Sequence, residues 1–351
     1  MTRRMRAAVL HGREDVRIEE VEIPPLEPGE VLLRTRAALT CGTDVKVFRR
    51  GYHARMLQPP SVFGHEMAGV VEEIGPGVLS VSPGTRVVVA NSAPCGACAY
   101  CKDDRESLCD DLLFWNGAYA EFARIPARIV RTNLVPLEPG IGFRQAAMVE
   151  PLACAVRGIE DSGIRAGHTV AVIGAGPIGL MLVALARLCG AQVVVVGRNA
   201  ARLRRALDLG ADEVIDASAL PDLAERLRRL GPSGRGPHVV IDAAGLAETA
   251  EAAIRAVRKG GLVNLFAGCP AEARVALDAQ RLHYEELTVT SSFHHTPQSF
   301  RAAYRLIAEG KVSPDAFITS EAPLEAVPEV LRRMAKGGDG LKTAILPWGP
   351  G

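Results

Sequence analysis

The segment from residue 168 to about 292 constrains the fold most strongly, because strand and helix patterns alternate along it. It opens with HTVAVIG, whose apolar, β-branched run is typical of a buried strand, and continues into the helical pattern PIGLMLVALARLCG. The runs AQVVVVG, AARLRRALDLG and HVVIDAAG extend the alternation. This spacing predicts a doubly wound α/β domain, a parallel sheet with helices on both faces.

Three glycines in VAVIGAGPIGL have G-x-G-x-x-G spacing at the first turn from strand to helix. Gly174 permits the tight turn, Gly176 lets a pyrophosphate approach the backbone, and Gly179 lets the helix pack close to the strand. The motif therefore predicts a dinucleotide site, with Pro177 and Ile178 between the second and third glycines.

The end of the second predicted strand bears on which dinucleotide binds. An NAD site usually places Asp or Glu there, to accept a hydrogen bond from the ribose 2′-hydroxyl. The sequence VVVVGRNAARL has no acid, and Arg198 could instead pair with a 2′-phosphate. With Asn199 beside it and Arg202 on the next helix, the sequence favours NADP over NAD. The alternative is that Arg198 only covers the surface and either cofactor binds.

The rest of the chain has a different pattern. Residues 1–150 carry short β-like runs broken by Gly and Pro, which predicts a mostly β domain. Two helical stretches, near 297–309 and 324–336, precede the apolar LKTAILP. We expect this tail, residues 293–351, to rejoin the first domain and leave 151–292 as the dinucleotide-binding domain.

Four of the eight cysteines lie in CGACAYCKDDRESLC, with the spacing C-x2-C-x2-C-x7-C. Four thiolates so close together can enclose one tetrahedral Zn²⁺ with no open position, as in structural zinc sites. An iron–sulfur cluster is the alternative, although Asp110 stands where a ferredoxin run usually has proline. We favour a structural zinc in a lobe at about residues 91–113, with the ligands Cys95, Cys98, Cys101 and Cys109.

A second set of candidate metal ligands lies outside this lobe. TCGTD contains Cys41, GHEMAG contains His65 and Glu66, and MVEPLACAV contains Glu150. A thiolate, an imidazole and carboxylates are suitable ligands for a catalytic zinc with an open position.

These segments resemble the zinc-dependent medium-chain dehydrogenases, in the branch of sorbitol (polyol) and threonine dehydrogenases. The resemblance lies in CGTD, GHEMAGVVEEIGPGV, GTRVVV, the four-cysteine lobe, GAYAEF, MVEPLACAV and GAGPIGL. It implies a GroES-like catalytic domain joined to a Rossmann domain and, as in many bacterial members, a homotetramer. It also implies a catalytic zinc on Cys41, His65 and Glu66, with Glu150 as a fourth ligand or holding the water on the zinc.

The resemblance implies a proton path as well, and here the chain departs from the family pattern. Thr43 offers a hydroxyl beside the zinc, but Lys46 stands where relatives often have a histidine at the outer end of the relay. Lys46 could serve that step or bind the cofactor. Glu66 could displace water from the zinc during the cycle.

The resemblance implies a small alcohol or ketone as the substrate, and four side chains are candidate contacts. Trp115 and Asn116 follow the lobe, and His294 and His295 follow the last predicted parallel strand. The two histidines could instead be surface residues. Aromatic, imidazole and amide groups suit a sugar alcohol, cyclitol or aminocyclitol, with simple secondary alcohols and threonine as alternatives.

Charge and hydropathy exclude other classes of protein. The net charge is about +1 with no long basic run, which argues against a nucleic-acid partner. The segment CKDDRESLCDD is also too acidic for the nucleic-acid-binding surface of a zinc-ribbon protein, which is the alternative from another class. No apolar run reaches the ~20 residues that span a bilayer, and MTRRMRAAVLHGRED lacks the core of a signal peptide. We therefore expect a cytoplasmic enzyme with no membrane partner. A zinc-free quinone reductase would lack both metal sets.

Overall fold

The computed structural model describes residues 3–338 and 340–349, and the chain divides into two compact units. The β-rich unit comprises Met1–Ala153 and His295–Gly351, and the parallel-sheet unit comprises Cys154–His294. No helix within the described ranges combines the length and apolar character needed to cross a membrane.

The parallel-sheet unit follows the predicted alternation of strands and helices. Its elements are β11 (Thr169–Ile173), α6 (Pro177–Leu188), β12 (Gln192–Gly197), α7 (Ala200–Asp208), β13 (Glu213–Asp216), α8 (Leu223–Arg228), β14 (Val239–Asp242), α9 (Ala247–Ala256), β15 (Leu262–Leu265), α10 (Ala279–Tyr284) and β16 (Thr288–Thr290).

The sheet of this unit has the order β13-β12-β11-β14-β15-β16 within the described residues, and every neighbouring pair is parallel. Strand β11 is buried along its whole length, as expected for an apolar strand covered on both faces. The strand order reverses at β11, so a crevice opens at the carboxyl ends of the strands beside it. The predicted doubly wound fold is confirmed. Helix α10, which begins after the capping residue Asp278, was not predicted.

The β-rich unit is built from short strands with helices between them. Its elements are β1 (Arg4–Gly12), β2 (Asp15–Glu22), β3 (Val31–Leu39), α1 (Gly42–Arg50), β4 (Ser61–Val62), β5 (Glu66–Ile74), β6 (Arg86–Val89), β7 (Ser92–Ala93), α2 (Ala99–Lys102), β8 (Leu113–Phe114), β9 (Phe122–Ile125), α3 (Ala127–Asn133), β10 (Leu134–Pro136), α4 (Phe143–Ala147), α5 (Val149–Asp161, which runs on into the other unit), α11 (Pro297–Ala308), β17 (Ile318–Pro323), α12 (Val327–Lys336) and β18 (Lys342–Leu346).

The largest sheet of this unit places the C-terminal strands beside the N-terminal ones. Its order is β10-β6-β5-β3-β18-β17 in the described part of the chain, with β9 also pairing with β3. Strand β18 is antiparallel to β3, with Ala344 opposite Leu39. The tail therefore completes the sheet that carries β3 and β5. The last predicted helix begins later than expected, at Val327, because Leu324–Ala326 form a 3₁₀ turn and Pro328 fits only the first helical turn.

Candidate metal centres and dinucleotide site

Neighbouring strands bring Cys41, His65 and Glu66 together. Strands β3 and β5 are antiparallel, and Leu39 at the end of β3 lies opposite Glu66 at the start of β5. Cys41 follows β3 as the N-terminal cap of α1, and His65 immediately precedes β5. One potential ligand atom of each residue lies within 4.8 Å of the other two. This group of three is called the Cys41 site below.

A buried carboxylate that the sequence analysis did not assign holds two of these ligands. Oδ1 of Asp44 lies 3.0 Å from Nδ1 of His65, and the backbone N–H of Cys41 donates to Oδ2 at 2.9 Å. A carboxylate on one ring nitrogen fixes the tautomer of a metal-binding histidine and leaves Nε2 for the metal. The signal was present in the sequence, because Asp44 is the third residue of α1 and completes a capping box with Cys41.

The pKa shifts in the Cys41 site reflect how closely its ionisable groups are packed. Burial alone would raise the pKa of Cys41, but the hydrogen bond and charge of His65 outweigh it and bring that pKa to about 7. Burial alone would lower the pKa of His65, but Asp44 and Cys41 raise it well above its usual value. A thiolate, an imidazole and a carboxylate form a donor set typical of catalytic zinc, so these residues fit the ion.

Glu66 has a second partner that could not be foreseen from the sequence. The ammonium group of Lys342, on β18, lies 2.7 and 2.6 Å from the two carboxylate oxygens and also donates to the backbone oxygen of Thr40 at 2.9 Å. Both side chains are buried. Burial raises the pKa of Glu66, and the charge of Lys342 opposes that shift. Both oxygens of this carboxylate, which was predicted to be a zinc ligand, are therefore held by a lysine.

Glu150 is buried at the start of α5 and is not a member of the Cys41 site. Its Oε1 lies 3.8 Å from Nε2 of His295, and that nitrogen lies 3.1 Å from Oδ1 of Asn91. Burial raises the pKa of Glu150 to about 7, with His65 opposing the shift. His295 is only 2% exposed, so the alternative that it is a surface residue is wrong.

Two of the other candidate substrate contacts, Trp115 and Asn116, donate hydrogen bonds to backbone oxygens of the protein. The indole N–H of Trp115 donates to the backbone oxygen of Arg124 at 2.9 Å, and the amide of Asn116 donates to the backbone oxygen of Met56 at 3.0 Å. His294 is half-buried with a positive φ of 62°.

The two residues predicted for the proton path, Thr43 and Lys46, both lie on α1. The backbone N–H of Thr43 donates to Cys41 Sγ at 3.4 Å. Lys46 is exposed on α1.

The four-cysteine lobe has the dimensions of a mononuclear zinc site. Sγ of Cys98 lies 3.6 Å from that of Cys101 and 3.9 Å from that of Cys109, and Sγ of Cys95 lies 3.9 Å from that of Cys101. Four sulfur atoms each about 2.3 Å from one zinc are separated by about 3.8 Å, whereas a disulfide is about 2 Å long. The paired strands β7 and β8 close the lobe at its base.

Backbone amides prepare this lobe for a cation. The N–H groups of Ala97 and Cys98 donate to Sγ of Cys95 at 3.4 and 3.3 Å, and these bonds lower the pKa of Cys95 to about 6. Burial raises the pKa of Cys101 to about 12. The group therefore retains a proton until a cation compensates the negative charge, as expected for a zinc site.

The predicted dinucleotide motif borders a cavity of about 600 Å³ in the parallel-sheet unit. Gly174 and Gly176 line it where β11 turns into α6, and the cavity extends past the end of β12. The lining also includes Arg198, Asn199 and Arg202, which the sequence analysis assigned, and Leu220, Pro221, Asp222 and Arg255, which it did not. The amide oxygen of Asn199 accepts from the backbone N–H of Arg202, so that side chain caps α7.

Each of the three glycines of the motif meets a different structural requirement. Gly174 has a φ of +113°, which a side chain rarely adopts. A Cβ on Gly179 would stand 1.8 Å from the backbone oxygen of Gly174, whereas a Cβ on Gly176 would have no described protein atom within 4 Å. The open space before the N-terminus of α6 fits a pyrophosphate. Pro177 and Ile178 form the first turn of α6 and do not line the cavity.

Comparisons with known proteins agree with this arrangement. A family model for the alcohol dehydrogenase GroES-like domain matches residues 27–137, and one for zinc-binding dehydrogenases matches residues 177–309. A sorbitol dehydrogenase of Bombyx mori is 32% identical, with 97% of each chain covered. The D-xylulose reductase A of Aspergillus oryzae is 30% identical over 96% of this chain and 95% of its own. A zinc-binding dehydrogenase from Sinorhizobium meliloti 1021, solved with NADP bound, superposes with a TM-score of 0.90 at 32% identity, covering 98% of this chain and 100% of its own.

Proposed function

The chain belongs to the zinc-dependent medium-chain dehydrogenases, in their polyol branch, and on that premise we propose that it transfers hydride between a secondary alcohol and NADP. The alcohol is a polyol, cyclitol or sugar-derived compound, and the reverse reaction reduces the corresponding ketone. The observation that carries the proposal is the Cys41 site, where a thiolate, an imidazole and a carboxylate meet. The relatives named for sorbitol and D-xylulose support the substrate class.

Each residue of the Cys41 site has a task in this reaction. When bound there, zinc supplies Lewis-acid chemistry that makes a substrate hydroxyl more acidic. Asp44 orients the imidazole of His65, and Lys342 holds the carboxylate of Glu66. The hydroxyl of Thr43, two residues after Cys41, takes the proton from the substrate hydroxyl toward solvent. Lys46 is exposed on the same helix, but its ammonium group has no lone pair with which to accept that proton, so the proton passes to solvent beyond Thr43.

A panel assay tests the activity and its substrate. Zinc-loaded protein is given sorbitol, xylitol, inositols, an aminocyclitol, threonine and simple secondary alcohols, and reduced nicotinamide is followed at 340 nm. Turnover of polyols or cyclitols at a kcat/KM well above that of threonine supports the proposal. Preferential turnover of threonine supports that alternative, and no turnover of any alcohol or of the matching ketones overturns the function.

We infer a preference for NADP from the arginines that line the cavity. Arg198, Arg202 and Arg255 line it, and Arg255 lies 3.7 Å from Asp222. In the Arg198→Ala variant we expect kcat/KM with NADP⁺ to fall about 10- to 100-fold, since a charge-assisted hydrogen bond contributes about 1.5–3 kcal/mol. Turnover with NAD⁺ should be unchanged.

The Arg204→Ala variant is the matched control, because Arg204 is exposed on α7 and does not line the cavity. It should leave both cofactors unaffected. An equal loss with NADP⁺ and NAD⁺ in the Arg198→Ala variant would show that Arg198 does not read the 2′-phosphate.

We also propose two zinc ions per chain, one in the Cys41 site and one in the four-cysteine lobe, and a homotetramer. The sulfur distances in the lobe support the second zinc, and the family resemblance supports the tetramer. Elemental analysis of the purified protein measures the first number, and sedimentation equilibrium the second.

A further inference from the structure

The buried hydroxyl of Tyr119 lies against the carboxylate that holds His65. Its oxygen is 2.5 Å from Oδ2 of Asp44 and 3.1 Å from the backbone oxygen of Leu39. A phenol has one proton to donate, and the nearer, charged oxygen is the stronger acceptor. Tyr119 is fully buried, so water does not compete for this bond. The hydroxyl therefore donates to Asp44.

The fold holds the ring of Tyr119 against the segment that carries His65. A Cβ on Gly64 would stand only 2.8 Å from Cδ2 of the Tyr119 ring. The ring also packs edge-on against Phe63, with 5.8 Å between ring centroids. The backbone N–H of Tyr119 donates to the backbone oxygen of Phe63 at 2.8 Å, and that of Ala118 donates to the backbone oxygen of Gly64 at 3.0 Å. These backbone hydrogen bonds therefore join the two residues before His65 to Tyr119 and the residue that precedes it.

The two oxygens of Asp44 have separate partners. Oδ1 lies against Nδ1 of His65 at 3.0 Å, while Oδ2 accepts from the hydroxyl of Tyr119 and from the backbone N–H of Cys41. Two donors on Oδ2 keep the carboxylate from rotating, so Oδ1 stays directed at the imidazole. Without the hydroxyl, one backbone N–H alone would hold Oδ2.

We propose that Tyr119 is a positioning residue for the metal of the Cys41 site, acting through Asp44 on His65. The inference rests on the proposed function to the extent that this site binds zinc. The path runs from the phenol to the carboxylate, from the carboxylate to Nδ1, and from the imidazole to the ion. Partners of metal-binding histidines typically change metal affinity 10- to 100-fold. Because Tyr119 is one bond further from the metal than Asp44, we expect its effect at the lower end, about tenfold.

The test is a chelator competition on the Tyr119→Phe variant, which keeps the buried ring and removes only the hydroxyl. Zinc release is followed with a chromogenic chelator, and the Cys41→Ser variant identifies the release from the four-cysteine lobe. We expect the affinity of the Cys41 site to fall about tenfold and that of the lobe to stay unchanged. The matched control is Tyr304→Phe, since Tyr304 is also buried and its hydroxyl accepts from the backbone N–H of Glu138 at 2.8 Å. Both affinities should be normal in that variant.

A double-mutant cycle separates positioning from a general structural effect. In the Asp44→Asn background, removal of the Tyr119 hydroxyl should cause no further tenfold loss, because its acceptor charge is gone. An equal loss in both backgrounds, or an unchanged affinity in Tyr119→Phe, overturns the inference.

The outcomes distinguish this inference from the proposed function because the assay needs no substrate. A wild-type protein that binds both zinc ions but oxidises no alcohol refutes the proposed function alone. An unchanged Tyr119→Phe affinity refutes the positioning role alone. A wild-type protein that binds zinc only in the lobe refutes both.

Discussion

Replacing Cys41 by serine is expected to lower kcat/KM on the order of 10³-fold and to reduce the zinc content from the proposed two ions per chain to one. The ligand atom of Cys41 lies within 4.8 Å of those of His65 and Glu66, and a serine hydroxyl is a poor substitute for a thiolate. Zinc stabilises the developing charge by several kcal/mol, and each 1.36 kcal/mol corresponds to a factor of ten in rate. Steady-state kinetics and elemental analysis measure the two effects.

The matched control for this prediction is Cys189→Ser. Cys189 follows α6 in the parallel-sheet unit and belongs to none of the groups of potential metal ligands among the described residues. That variant should keep both zinc ions and normal turnover. If Cys41→Ser also keeps two zinc ions and near-normal kcat/KM, the Cys41 site is not the catalytic metal centre.

Replacing Lys342 by methionine is expected to destabilise the protein by about 3–5 kcal/mol, the usual effect of removing one partner of a buried ion pair. Lys342 is 2% exposed and Glu66 is fully buried, so a Glu66 carboxylate that ionises above its pKa of about 8 would have lost its cation without gaining water. At about 2–4 °C per kcal/mol, the melting temperature should fall by roughly 10 °C. Differential scanning calorimetry measures the change.

The pH dependence of that loss follows from the shifted pKa of Glu66. Burial raises this pKa, and Lys342 opposes the shift, so the pKa rises further in the Lys342→Met variant. A folded-state carboxyl pKa above the unfolded value means that stability falls as pH rises between the two values, because only the folded protein keeps the proton. Wild-type Glu66 has a pKa of about 8, so both proteins keep this proton at lower pH, and the destabilisation should be smaller at pH 7 than at pH 9.

Two further variants check the cause of the destabilisation. The double variant Lys342→Met with Glu66→Gln removes both charges of the pair and should recover much of the lost stability. Lys336→Met removes an exposed lysine from the end of α12 and should have little effect. If the double variant is as unstable as the single one, the loss reflects packing around Lys342 rather than the unpaired carboxylate.

The parts of the fold that could be predicted from sequence are those with a local signal. The apolar runs before Gly174 and after Gln192 predict buried parallel strands, and both are buried strands in the structure. The glycine spacing predicts a turn that other residues cannot make, and Gly179 lies too close to the backbone oxygen of Gly174 to carry a side chain. Helix α10 and the 3₁₀ turn at Leu324–Ala326 lack comparably strong signals and were missed.

The partners of the site residues could be predicted only in part. Asp44 was detectable, because it is three residues from Cys41 in a capping box. Tyr119 lies in the quoted segment GAYAEF, but its contact with Asp44 spans 75 residues. Lys342 reaches Glu66 across 276 residues, and no local pattern marks a lone lysine in an apolar strand as a buried partner.

The sequence by itself determined the kinds of donor atom and the order of the elements, because residue type, spacing and periodicity are local properties. Thiolates at two-residue intervals predict the four-cysteine lobe, and glycines at a turn together with apolar runs of set length predict the doubly wound sheet. The set of Cys41, His65 and Glu66 was predicted from residue types and the family resemblance instead. Only the tertiary structure decided which groups neutralise and orient the donors. Strand β18 pairs with β3, which in turn pairs with β5, and this places Lys342 against Glu66 in a buried environment. There an unpaired charge is costly, so packing determines the partner, and sequence distance does not.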